Sequence, residues 1–101
     1  MLHESQTRIV SQRASQYLSS LCQHWGRLSR VLYDGQQGLV LDGRSRRILR
    51  VQGDCLDITL QSYDLRVLGE LEHHVGNQLG GLLYQDAQAI NWSRQPHTHL
   101  L

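Results

Sequence analysis

RVLYDGQQGLVLDGRSRRILRVQGDCLDITLQ, residues 30–61, holds four apolar runs separated by three short reversal signals. Asp34-Gly35, Asp42-Gly43 and Gly53-Asp54 each join a glycine, which tolerates positive φ, to an aspartate that can bond its own backbone. The runs between and around them are Arg30–Asp34, Gly38–Asp42, Arg44–Gln52 and Cys55–Gln61. The last alternates without a break. Leu56, Ile58 and Leu60 point one way, and Cys55, Asp57, Thr59 and Gln61 the other. In Arg44–Gln52, Leu49 and Val51 take one face while Arg46, Ile48 and Arg50 take the other. Tight connections in succession make an antiparallel meander, with one face for a core and one largely polar.

Something must cover the apolar face, and the flanking segments supply it. From Gln12 to about Gly26 the apolar residues are Ala14, Tyr17, Leu18, Leu21, Cys22 and Trp25, the spacing of one buried helical stripe. Ser11 is placed to cap this helix and Gly26 to end it. Ser62 or Asp64 caps a second helix with the stripe Leu65, Leu68, Leu71, Val75, Leu79 and Leu82. The pair Gly80-Gly81 reads as its stop, at about Leu79, because glycine is a poor helix former. Thr7–Val10 is a short β-prone run before the first helix. Ala89–Arg94, with Ile90 and Trp92 on one face, is another after the second.

The expected order is β-α-β-β-β-β-α-β, an α+β fold with an antiparallel sheet and two helices on one face. It forms one domain over residues 7–95, with 1–6 and 96–101 as flexible tails. A chain of 101 residues is long enough to bury a single core. No apolar run reaches the roughly 20 residues of a membrane span, and the start MLHESQTRIV lacks a secretory h-region. The expected location is therefore the cytoplasm, away from membranes. In a reducing compartment Cys22 and Cys55, which lack C-x-x-C spacing, act as small hydrophobes.

Charge is distributed unevenly. The net charge is only +1. Yet residues 1–50 hold eight arginines against three acids, and residues 51–101 hold two arginines against six. There is no lysine. Composition leaves open whether this reflects genome bias or a use of arginine's planar fork for anions. The surface expected to bind something is the arginine-rich meander: Arg44, Arg46 and Arg50 with Arg30 on the preceding run. On an exposed sheet face they suit a small anionic ligand such as a carboxylate, a phosphate or an anionic iron chelate. Asp57 and Asp42 would partly neutralise them. Nucleic acid is not the expected partner, because no aromatic is interleaved with the arginines as a stacking platform.

Catalytic signals are sparse. Cys22 and His24 stand two apart on a helix, so they diverge instead of converging on one ion. Cys22 lies on the buried stripe, and His24 borders it as a candidate ligand or acid–base group. His73-His74 are adjacent and cannot chelate together. His97-x-His99 lacks cysteine or carboxylate company. There is no nucleophile elbow and no glycine-rich phosphate loop, and Glu70 and Glu72 do not form a paired-carboxylate site. The chain is expected to need no cofactor and no metal. A non-catalytic role is the first reading; an enzyme using His24 is the alternative.

Four stretches carry a family resemblance: ASQYLSSLCQHW (14–25), LYDGQQG (32–38), DLRVLGELEHHV (64–75) and INWSR (90–94). With Tyr17-Leu18, Leu21-Cys22-x-His24 and Asn91-Trp92-Ser93-Arg94 as its most specific pieces, the chain resembles the bacterial domain of unknown function 2218 over Arg8 to Arg94. The resemblance implies a small cytosolic protein, in some cases linked with siderophore-interacting flavin reductases, and hence an accessory or binding role in iron acquisition. It assigns no reaction and no site residues. The segment QLGGLLYQD (78–86) and Gln23 depart from the more charged family pattern. A flavin reductase or a small anion is thus the expected partner, and an unpaired edge strand offers a surface for a homodimer.

Overall fold

Alternation in the meander decides which side chains meet the helices. The computed structural model describes residues 1–83 and 89–96. It contains β1 (His3–Val10), α1 (Ala14–Trp25), β2 (Arg30–Tyr33), β3 (Gln37–Asp42), β4 (Ser45–Gln52), β5 (Cys55–Ser62), α2 (Leu65–Leu82) and β6 (Ser93–Pro96). The six strands form one antiparallel sheet in the order β2-β3-β4-β5-β1-β6. The fold is α+β in the expected element order. Leu56, Ile58 and Leu60 of β5 are fully buried beside Leu49 of β4, Val40 of β3 and Ile9 of β1. Burying each such aliphatic side chain stabilises the fold by about 1.5–3 kcal/mol.

Both helices lie on that face. All six residues of the α1 stripe are buried, and α2 adds Leu68, Leu71, Val75 and Leu79. Gly38 of β3 allows α1 to come close. A Cβ there would stand 2.6 Å from Cys22 Sγ and 3.3 Å from Leu18 Cδ1. Both cysteines are free thiols, Cys22 in the core and Cys55 half-buried at the start of β5. Burial raises the Cys22 thiol pKa. Gly43 and Gly53 take positive φ in the two tight hairpins, as the reversal signals require.

Several boundaries differ from the sequence expectation. Residues 3–6, expected to be part of a flexible tail, are the first half of β1. They pair with β5 on one side and β6 on the other, so their backbone groups are bonded although their side chains are polar. Ser11 is not the helix cap, which is Arg13. Instead the Ser11 hydroxyl accepts from the Arg13 N–H and its carbonyl from the Ala14 N–H, turning the chain into α1. Gly26 ends α1 at φ −63, without left-handed geometry. Asp64 is the α2 cap, accepting from the backbone N–H of Arg66 and Val67. Leu65 is exposed and does not belong to the buried stripe.

The second half of the chain differs from the sequence expectation in two places. The helix α2 passes through Gly80-Gly81 to Leu82, because Leu79, Leu82 and Leu83 still pack on the core. The final strand is Ser93–Pro96, not Ala89–Arg94. Ile90 and Trp92 instead pack, half-buried, against the core ahead of it. Residues 97–101, and with them His97-x-His99, lie outside the described residues. A Cβ on Gly80 would meet nothing within 4 Å. Gly80→Ala is therefore expected to stabilise the protein by about 0.5–1 kcal/mol. The check is the urea midpoint, and a lower midpoint would show that a helix through this position is wrong.

Candidate functional site

The helices leave the opposite face of the sheet uncovered, and strand register fixes what it displays. Arg30 lies opposite Leu41, Leu41 opposite Arg46, and Arg46 opposite Gln61. The next outward row is Leu32, Leu39, Ile48 and Thr59, and the one beyond is Gln37, Arg50, Asp57 and Arg8. An apolar row is thus flanked by arginine-bearing rows about 7 Å away on either side, the span of two strand residues. Arg46 and Arg50 are about 13 Å apart along β4, and Arg30 is roughly 10 Å from Arg46 across two strand spacings. Leu32 is 53% exposed, while Leu39, Leu41 and Ile48 are half-buried.

The structure therefore brings Arg30, Arg46 and Arg50 onto one exposed face. Arg44 is not on it. The strand begins at Ser45, and Arg44 sits in the two-residue turn between β3 and β4. Its carbonyl accepts from the Ser62 hydroxyl at 2.9 Å. From there it borders a cleft of about 600 Å³ at the end of the first row, shared with Leu41, Arg46, Gln61 and Tyr63. That volume lies in the range of small-molecule sites. His24 is on the other layer. It is exposed on α1, beside a groove with Leu21, Gln78 and Leu82, and cannot act with the sheet arginines.

Of the two neutralising aspartates, Asp57 is engaged elsewhere. Arg8 donates Nε and Nη2 to its two carboxylate oxygens at 2.6 and 3.3 Å. This pairing raises the Arg8 pKa. Asp34 caps the β2–β3 turn, accepting from the N–H groups of Gln36 and Gln37, which lowers its pKa. Among the described residues, no group of three His, Cys, Asp or Glu side chains is placed to hold a metal. Nor is any helix among them long and apolar enough to cross a membrane.

Two polar features on the helix side escaped the sequence reading. Ser5 of β1 donates to Glu72 of α2 at 2.6 Å, and Arg94 of β6 clamps the same carboxylate with contacts of 2.9 and 2.6 Å. This ties the last strand to α2. The second is Arg47, which is 6% exposed. Its signal was present in the pair Arg46-Arg47, since adjacent strand residues face opposite ways. One arginine must join Leu49 and Val51 on the core side. The guanidinium carbon of Arg47 lies 4.8 Å from the centroid of the Trp25 ring. The Trp25 indole N–H donates to the Gln78 side-chain carbonyl.

The model of a bacterial family, DUF2218, described as an uncharacterized protein conserved in bacteria, matches residues 6–93. The NMR structure of PA4090 from Pseudomonas aeruginosa is similar, with a TM-score of 0.74 and 23% identity, covering 95% of this chain and 97% of that one. At that identity the likeness is one of fold. No curated protein matches the chain.

Proposed function

The chain belongs to the DUF2218 family of bacterial proteins, and from that premise we propose that it is a non-catalytic binding module whose uncovered sheet face takes an anionic ligand. The observation that carries this reading is the pair of arginine-bearing rows, with Arg30, Arg46 and Arg50, around Leu32, Leu39 and Ile48. Three separated cations around an apolar centre suit an anion with a flat, apolar body better than a bare inorganic ion. An anionic ferric catecholate, whose flat aromatic rings surround an octahedral metal, offers such apolar faces beside its charge. An accessory role in siderophore-iron use, beside a flavin reductase, is the finer form of the proposal and rests on the family resemblance.

The test is calorimetric titration with a ferric catecholate chelate at low salt. Wild-type protein should bind, with affinity falling as salt screens the arginines. Arg30→Gln combined with Arg46→Gln should weaken binding about tenfold or more, the loss expected from charge-assisted contacts. Absence of heat with the wild type, or equal affinity in the double variant, would sink the proposal. Replacing His24 with glutamine should leave binding unchanged, since it stands on the other layer.

A further inference from the structure

Arg47 presents a problem that the sheet-face reading does not solve. Its Nε and Nη1 are buried, yet no hydrogen-bond acceptor meets them among the described residues. Burying a cation without an acceptor is costly, and proteins ordinarily supply a carboxylate. Here burial lowers the Arg47 pKa, with Asp42 offsetting only part of the effect. The face of Trp25 gives the guanidinium cation–π contact on one side. On another side Arg47 lines a cleft between α2 and the tip of the β3–β4 hairpin, with Arg44, Asp42, Glu70 and His74 around it. An open space lined by charged side chains thus borders a guanidinium whose Nε and Nη1 lack acceptors.

We propose that this cleft is a second binding site, on the helix side of the sheet, for a small singly charged oxyanion of the carboxylate class. The oxyanion would supply the acceptors that Arg47 lacks. The size of the charge follows from the surroundings. Arg47 and Arg44 attract an anion, while Asp42 and Glu70 repel a highly charged one. A carboxylate is planar, as the guanidinium is, and matches its donors. Nε and Nη1 are themselves buried, so an anion reaches them by a turn of the Arg47 side chain toward the cleft that it lines. The site is independent of Arg30, Arg46 and Arg50, which face the other way, so either site can exist without the other.

The experiment is a titration of the ¹⁵N-labelled protein with acetate, held at constant ionic strength with chloride. The Trp25 indole N–H and the Arg47 amide should shift and saturate, with a dissociation constant on the order of a millimolar. The melting temperature should rise in parallel. Arg47→Met keeps the bulk and removes the charge. It should fold at least as well as wild type without acetate, as isosteric replacement of an unpaired buried charge commonly does, and it should lose the acetate response at least tenfold. An equal response in Arg47→Met would overturn the proposal. If that variant fails to fold, the wild type decides. No movement of the Trp25 indole by about 100 mM acetate, roughly a hundredfold above a millimolar constant, would overturn it equally.

Discussion

Gly38→Ala is expected to destabilise the protein by about 1–3 kcal/mol, the cost of overfilling a close-packed core. The new methyl would lie 2.6 Å from Cys22 Sγ, 3.3 Å from Leu18 Cδ1 and 4.0 Å from Leu49 Cβ. The sulfur belongs to a short, buried side chain on the best-packed helix, so it cannot swing into solvent. Relief must come from moving α1 off the sheet. For a domain of this size the loss corresponds to a fall in melting temperature of roughly 4–8 °C per kcal/mol. The cause can be isolated with a second change. Cys22→Ala alone removes a packed thiol and costs about 1 kcal/mol. Combined with Gly38→Ala, it vacates the space that the new methyl needs. The double variant should therefore be more stable than the two single losses predict, a favourable coupling measurable by urea denaturation of all four proteins. Strict additivity would mean that the two residues do not touch.

Glu72→Ala is the second large effect, expected at about 2–3 kcal/mol. It removes the acceptor of a buried serine hydroxyl and of a bidentate arginine at once. Arg94 is half-exposed and will recover some hydration, which keeps the loss below that of a fully buried pair. Ser5 is fully buried and cannot. The same contacts give a pH signature. Hydrogen bonding from Arg94, against a smaller opposing effect of burial, lowers the Glu72 pKa below its ordinary 4.5. The folded carboxyl therefore holds its proton less tightly than the unfolded one. Its contribution is fully present above about pH 5 and is lost as pH falls through the lowered folded pKa. Glu72→Gln should flatten that part of the acid limb in a pH series of denaturation midpoints. An unchanged limb would assign the acid sensitivity to other carboxylates.

The elements that the sequence made plain were those whose pattern is local. The α1 stripe from Ala14 to Trp25 and the alternation from Leu56 to Leu60 each repeat at the period of their own element, and both are buried as expected. Asp34-Gly35, Asp42-Gly43 and Gly53-Asp54 mark reversals because turn geometry is set within a few residues. What stayed hidden depends on partners distant in the chain. His3–Gln6 reads as a polar tail until β5 and β6 bond it from both sides. Gly80-Gly81 reads as a stop because local propensity does not contain the packing of Leu82 and Leu83, which outweighs roughly 1 kcal/mol per glycine. The sheet-face arginines Arg30, Arg46 and Arg50 followed from alternation alone. Arg44 continues the alternation of Arg46 and Arg50 in sequence, but the turn at Gly43-Arg44 takes it off that face. Arg47 was legible in principle, but an arginine on a core face runs against the usual expectation for a charged residue.

The uncovered, arginine-rimmed sheet face is the proposed ligand surface. The most direct measurement is an amide chemical-shift map of the ¹⁵N-labelled protein titrated with a gallium catecholate chelate, a diamagnetic equivalent of the ferric anion. Saturable shifts are predicted at Leu32, Leu39, Arg46, Ile48 and Arg50, with Ser20 and His24 on α1 unmoved. Shifts confined to the helices, or no shifts at all, would contradict it.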